Sequence, residues 1–472
     1  MNHSILIFPV HPTSLAKFLK IALFLREKNV ECKFLIATKS VYDRQSNIDT
    51  ANFESIKLPL THNASLSHRL KSLLWLIANI WRNHKDLDFI GHQDSSKLGF
   101  LRRYKHKLYF LRLQREYKSD LENKIIVIER LFENNSFDKI IVSGDRSLGY
   151  EAVLLAHSQK MKIPCTIPPI STSLNPPDFA KHRLEKSSNF NITDNNYFRE
   201  KWPKQCLELQ NCSVSFYEFW RVKVLDELGV LPPNPWNLGG GRVDKLLVGN
   251  GIDANRYIHN GLNSDRVFVT GDSEFDELYE AFQNKHKTRL ELITEYKLDP
   301  ALPIIIIGMP QLFEHNLLSY DDHMAVINVI CDGAYQENAN VLTSLHPKMD
   351  KNNYLFLQSK YNFGILNESL SNCLPAADVY VSCQGSSTWI WSVLCEIPMI
   401  VCDWYGSDAD ISKPEYGLSI LKHSSAYSEE LHKLLSNSTY LHYKKDQCVE
   451  TKPKIVQFDG NSSERILKHL LH

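Results

Sequence analysis

Tyr380-Val381-Ser382-Cys383-Gln384-Gly385-Ser386-Ser387-Thr388 passes from a short apolar run into a glycine and three hydroxyls, and a helical pattern follows. Upstream, Ser344-Leu345-His346-Pro347-Lys348 closes another apolar run in the same way. Each run reads as a buried strand with polar residues at its C-terminal end. In an open α/β sheet that edge is where ligands bind. A histidine from one strand end and paired hydroxyls from another form a pattern suited to a phosphate.

Working outward, Leu302-Pro303-Ile304-Ile305-Ile306-Ile307-Gly308 opens the series to which these two runs belong. Residues 340–345, 364–366, 379–382 and 399–402 continue it, with helical stretches between them. An earlier series starts at residues 4–10, passes through an amphipathic stretch carrying Leu15, Phe18, Leu19, Ala22 and Leu23, and reaches a second strand at 31–37. Residues 139–143, 163–167, 243–248 and 266–270 extend it. Strands alternating with helices predict parallel sheets covered on both faces. The fold class is therefore α/β, with two doubly wound, Rossmann-like domains expected to face one another across a cleft.

A charged, helical break near 285–299 separates the series. The expected domains are 1–284, 285–455 and a helix within 456–472 that packs back on the first domain. Two regions fit this scheme poorly: 60–118, and 171–237 with its Asn175-Pro176-Pro177 and Leu231-Pro232-Pro233-Asn234-Pro235-Trp236 punctuation.

At 472 residues the chain is long enough for two cores. Acidic and basic residues balance at 54 each, so no global field attracts nucleic acid or lipid. The opening residues read as a strand, not a secretory signal. No apolar run approaches the roughly 20 residues that span a bilayer. The ten cysteines show no CxxC pair, which suits buried thiols in a reducing cytosol. No HxxxH, HxH or paired-cysteine pattern marks a metal site.

Candidate residues gather at the strand ends. His346 can donate to a leaving phosphate, and Pro347 holds its chain extended. Lys348, Gly385, Ser386, Ser387 and Thr388 add donors around the same anion, with the opening of a helix behind them. Gln311, Glu314 and His315 follow the first strand of the second series, where a nucleotide fits. In the first series, Asp145 and Glu151 are candidate general bases for an acceptor hydroxyl; Asp145 reads equally well as a helix cap. His11 and Arg146 are candidate acceptor contacts. Asn237-Leu238-Gly239-Gly240-Gly241 invites a phosphate-loop reading, but it precedes a strand and suits a tight turn better. In residues 97–118, Arg and Lys alternate with Leu, Phe and Tyr, as in a membrane-surface helix or a solvated helix with a buried stripe.

The order of these segments resembles the GT-B superfamily, which contains glycosyltransferases and the non-hydrolysing UDP-N-acetylglucosamine 2-epimerases. Residues 142–146 leading to 163–164 look like the end of the epimerases' first domain. Val269-Thr270-Gly271-Asp272-Ser273-Glu274-Phe275-Asp276 looks like their interdomain strand, and 345–347 with 374–378 and 397–400 like their nucleotide-binding half. The run Ser386-Ser387-Thr388-Trp389-Ile390-Trp391-Ser392 lacks the carboxylate that holds the ribose in epimerases. The His-Pro and Ser-Ser pairs look instead like bacterial sialyl-, Kdo- and capsule transferases. That resemblance implies contacts from His346, Ser386 and Ser387 to the nucleotide phosphate.

The expected protein is a cytoplasmic, metal-independent glycosyltransferase of bacterial surface polysaccharide synthesis, associating peripherally with membrane through 97–118. Its donor would be a CMP-linked acidic sugar or a UDP-sugar, its acceptor a glycan or lipid-linked glycan. The nucleotide-sugar is a substrate and no cofactor is implied. A sugar-nucleotide epimerase or hydrolase, and a non-catalytic scaffold on the same fold, are the alternatives.

Overall fold

The computed structural model describes residues 4–10, 12–59, 97–170, 175–315, 317–346, 349–383, 386–404 and 416–472, without the side chains of 12, 13, 40 and 97–109. The chain divides into two compact units. The first holds residues 1–248, 252–269 and 466–472; the second holds 249–251 and 270–465.

The first unit is built on a seven-stranded sheet: β1 (Ser4–Phe8), β2 (Glu31–Ile36), β3 (Glu54–Lys57), β4 (Lys139–Val142), β5 (Cys165–Ile167), β8 (Lys245–Val248) and β9 (Val267–Val269). β6 (Cys206–Leu209) and β7 (Cys212–Ser215) form a separate antiparallel hairpin. The sheet order is β3-β2-β1-β4-β5-β8-β9, and every pairing in it is parallel. Order reverses beside β1, whose two neighbours are β2 and β4. That is the switch point at which open α/β sheets bind ligands. Ile5, Leu6, Ile7 and Phe8 are all buried, as strands covered on both faces require.

The second unit carries β10 (Ile304–Gly308), β11 (Asn340–Ser344), β12 (Gly364–Ile365), β13 (Val379–Cys383), β14 (Met399–Cys402) and β15 (Leu418–Leu421). Their order is β12-β11-β10-β13-β14-β15, again all parallel. Counted within the sheet this is 3-2-1-4-5-6, the doubly wound order, with the switch beside β10. Asp378 fixes the start of β13 against β10: its Oδ2 accepts from the amide of Ile304 at 2.8 Å and from Arg289 at 2.9 Å.

The helix Ser462–Leu471 brings Ile466, Leu467 and Leu470 into the first unit's core beside Ile5, Ile7, Phe18 and Phe34. The Lys245 ammonium donates to the carbonyl of His469 at 3.2 Å in the same unit.

Of the region 171–237, the described residues 175–237 are not the irregular connection that their prolines suggested. Asn175 is the N-cap of the helix Pro176–Lys186, with proline in the first turn where its missing N–H costs nothing. This helix, the β6–β7 hairpin and the helix Phe219–Glu227 bury Phe198, Trp202, Phe216, Tyr217 and Trp236 in the first unit's main core.

Candidate functional site

At the edge of the first unit's sheet, the loops after β1 and β4 are tied together. The amide of Val10 donates to Ser143 Oγ at 3.0 Å, and Thr38 Oγ1 donates to the Val10 carbonyl at 3.2 Å. Asp145 follows in the β4 loop. It is buried, and its two oxygens accept from the amides of Gly239 at 3.1 Å and Gly241 at 2.6 Å. A Cβ on Gly241 would stand 2.6 Å from Asp145 Oδ2, so only glycine lets the backbone come this close. The glycine run is thus a tight turn, closed by Gly240 N–H to the Asn237 carbonyl at 3.0 Å, and it serves as a cradle for a carboxylate. Burial pushes the Asp145 pKa up to about 6 against these two bonds. In the fold Asp145 is an internal anchor, with both of its oxygens engaged by backbone amides.

Glu151 has the opposite character. It stands in the first turn of the helix Tyr150–Met161 and is 2% exposed. Oε1 accepts from the Ser147 amide at 2.6 Å, while Oε2 is buried without a hydrogen-bond partner. Oε2 lies 3.8 Å from the point where a Gly144 Cβ would be, so that glycine leaves the carboxylate its space. Burial is the main cause raising its pKa to about 7; the Asp145 charge adds, and the Ser147 amide and Arg146 oppose. A group half-ionised near neutrality can take a proton and release it again. Arg146 borders this edge, and Tyr217 donates to its carbonyl at 2.6 Å.

At the second unit's edge the groups are hydroxyls. Ser386 Oγ and Thr388 Oγ1 are 2.6 Å apart, and the Thr388 amide donates to Ser386 Oγ at 3.4 Å. Tyr380, buried on β13, reaches Thr388 Oγ1 with its hydroxyl at 2.8 Å. A Cβ on Gly308, the last residue of β10, would collide with that hydroxyl. Ser387 is exposed. The following helix, Trp389–Leu394, has six residues, too short to present the dipole that its sequence suggested. The donors here are side chains and amides.

His346 follows β11, and its backbone amide donates to Met349 Sδ at 3.4 Å. β11 and β13 flank β10, so about 10 Å of sheet separates the two strands that lead to His346 and Ser386. Gln311 Oε1 meets His315 Nε2 at 2.9 Å in the loop after β10. His11, Pro347, Lys348 and Gly385 lie outside the described residues.

Sequence reasoning missed three features. Tyr380 looked like any strand aromatic. Asp403 follows β14 and is 3% exposed, with Oδ2 paired to Lys422 and Oδ1 unpartnered; the signal was an acid directly after the apolar run 399–402. Tyr354 donates to Glu314 at 2.8 Å and meets His323 Nε2 at 2.9 Å, which braces the loop after β10. Burial holds His323 below its ordinary pKa, hence neutral.

Two consecutive Rossmann-like units with these strand orders make the GT-B fold. No protein family model matches the chain, and no curated protein sequence matches it. Solved structures do. The spinosyn forosaminyltransferase SpnP aligns over 100% of this chain and 99% of its own, with a TM-score of 0.50 and 11% identity. A UDP-GlcNAc 2-epimerase from Neisseria meningitidis aligns over 99% of each chain at TM-score 0.48 and 13% identity. The glycosyltransferase SnogD from Streptomyces nogalater aligns over 100% of each at 0.48 and 10%. At such identities the likeness is one of fold.

Proposed function

We propose that the protein is a glycosyltransferase that moves a sugar from a nucleotide-sugar donor to a glycan or lipid-linked acceptor. The observation that carries this reading is Glu151: a buried carboxylate with one unpartnered oxygen and a pKa of about 7, at the ligand-binding edge of the first sheet. In this role it draws the proton from the acceptor hydroxyl as the new glycosidic bond forms. Arg146 is an acceptor contact beside it.

The donor belongs to the second unit. Ser386, Ser387 and Thr388 supply hydroxyl donors to its phosphate, with Tyr380 positioning two of them. His346 supplies a further donor as charge develops on the leaving nucleotide. Gln311 faces the nucleotide from the loop after β10. This scheme needs no metal or cofactor. That SpnP, a protein of like fold, is named as a forosaminyltransferase favours transfer as the chemistry.

The proposal places the enzyme in the bacterial cytoplasm, at the synthesis of surface polysaccharide. No described helix is long and apolar enough to cross a membrane. Peripheral contact would fall to residues 97–118 of the helix Lys97–Asn134. Within it, Arg112 pairs with Glu116 at 2.8 Å and Lys118 with Glu227 at 3.1 Å.

The test is a panel of CMP-, CDP-, UDP- and GDP-sugars, each incubated with and without glycan acceptors. Acceptor-dependent release of nucleotide, abolished in Glu151→Gln, is the expected result. Conversion of UDP-N-acetylglucosamine without an acceptor would give the epimerase reading instead. Failure to bind any nucleotide would leave a scaffold.

A further inference from the structure

The insertion between β5 and β8 gathers arginines and aromatic rings in the first unit. Arg183, on the helix Pro176–Lys186, holds its guanidinium carbon 4.9 Å from the ring centres of Phe179 and Phe216 and 5.2 Å from that of Phe190. Arg146 shares the Phe179 ring at 5.6 Å. Arg221 stands 4.9 Å from Trp220 and 5.6 Å from Tyr117, and forms an ion pair with Glu218 at 2.9 Å.

Arg183 is the anomaly among them. Its Nε is buried with no hydrogen-bond partner, and no carboxylate of the described residues pairs with its guanidinium. The rings stabilise the charge, but they supply no acceptors for a fork of five N–H donors. A guanidinium serving only to bind helix to hairpin would be expected to have a carboxylate or carbonyl partner. Here rings fix its position, a second guanidinium adjoins the same ring, and the fork is left for something else. Arg183, Arg146 and Phe179 are all half-buried, so none of the three is sealed from solvent. Carboxylate and phosphate are the groups that match a guanidinium fork with two parallel bonds.

The geometry points to an oxyanion subsite, formed by Arg183 and Arg146 on the Phe179 ring, that receives a carboxylate or phosphate of the sugar acceptor. The word acceptor rests on the transferase reading; the anion site itself does not. Arg146 lies on the same strand-to-helix turn as Glu151, so an acid group held here sets the sugar beside the proposed base.

The test is thermal protection at constant ionic strength by millimolar glucuronate, glucose 6-phosphate and glucose, with CMP and UDP as separate arms. Glucuronate or glucose 6-phosphate should raise the melting temperature while glucose does not, and the arm that responds says which oxyanion is bound. Arg183→Met should weaken that binding at least tenfold. Arg183→Lys, which keeps the charge and loses the fork, should fall between and serves if the methionine variant does not fold. Equal responses to glucose and the two anions, or unchanged anion affinity in both variants, overturn the proposal. Nucleotide protection should survive Arg183→Met. Its absence in the wild type, with Arg183-dependent anion binding intact, would sink the transferase reading and leave the subsite standing.

Discussion

The ligand-binding edges of the two sheets are built alike and equipped differently. In the first unit, two carboxyl groups are buried within one strand-to-helix turn, and burial raises both pKa values. In the second, Tyr380, Thr388 and Ser386 form a chain of neutral hydroxyls, two of them half-open. Water must be excluded to tune an acid, whereas donors for a phosphate work best when they stay reachable. On the proposed transferase reading, proton chemistry falls to the first unit and anion recognition to the second. The largest expected effect follows from this division. Glu151→Gln should lower turnover about 10²- to 10⁴-fold, the range for loss of a general base, with nucleotide affinity unchanged. A drop below tenfold would move the proton chemistry elsewhere.

Within the first unit the two carboxyls are themselves a contrast. Asp145→Ala leaves the amides of Gly239 and Gly241 buried without acceptors. Hydrogen bonds to a charged group contribute about 1.5–3 kcal/mol each, so the loss in denaturant unfolding should be about 3 kcal/mol or more. Unchanged stability would mean the cradle does not hold the loop. Glu151→Gln should behave in the reverse sense. The folded protein holds the Glu151 proton up to about pH 7, against an ordinary value of 4.5. Between those values the native state binds more protons, so this group's contribution to stability is lost as pH rises through the window. The glutamine variant escapes that loss. It should be the more stable protein at pH 8, by an amount on the order of 3 kcal/mol, and the gap should close near pH 4. A gap of the same size at both pH values would mean that Glu151 ionises freely in the fold.

Much of this was legible in the sequence because strands and their ends are written locally. Isoleucines 304–307 announce a strand covered on both faces, and the polar residues after 344 and 383 mark its neighbours' C-terminal edges. Glu151 was legible as a candidate for the same reason. Its distinction from Asp145 was not, since it depends on Gly239 and Gly241 more than 90 residues away. The role of Arg183 was hidden likewise, because its rings, Phe179, Phe190 and Phe216, come from separate stretches of the chain. Prolines at 176 and 177 looked like punctuation, yet they open the helix that starts after Asn175.

The second unit offers the smallest and sharpest test of the contrast. Tyr380→Phe removes one hydroxyl from a buried site and leaves the ring, so stability should fall by only about 0.5–1.5 kcal/mol. If the hydroxyl chain orients the donors of Ser386 and Thr388, nucleotide affinity should fall a few-fold while kcat changes little. Gly308→Ala reaches the same hydroxyl from the next strand by steric pressure, and should cost about 1–3 kcal/mol through overpacking. Combining the two separates the effects. Phenylalanine at 380 removes the atom that alanine at 308 would strike, so the double variant should be more stable than the sum of the single losses predicts. Strict additivity would show that the two residues do not meet through that oxygen, and the hydroxyls after β13 would then have no support from beneath.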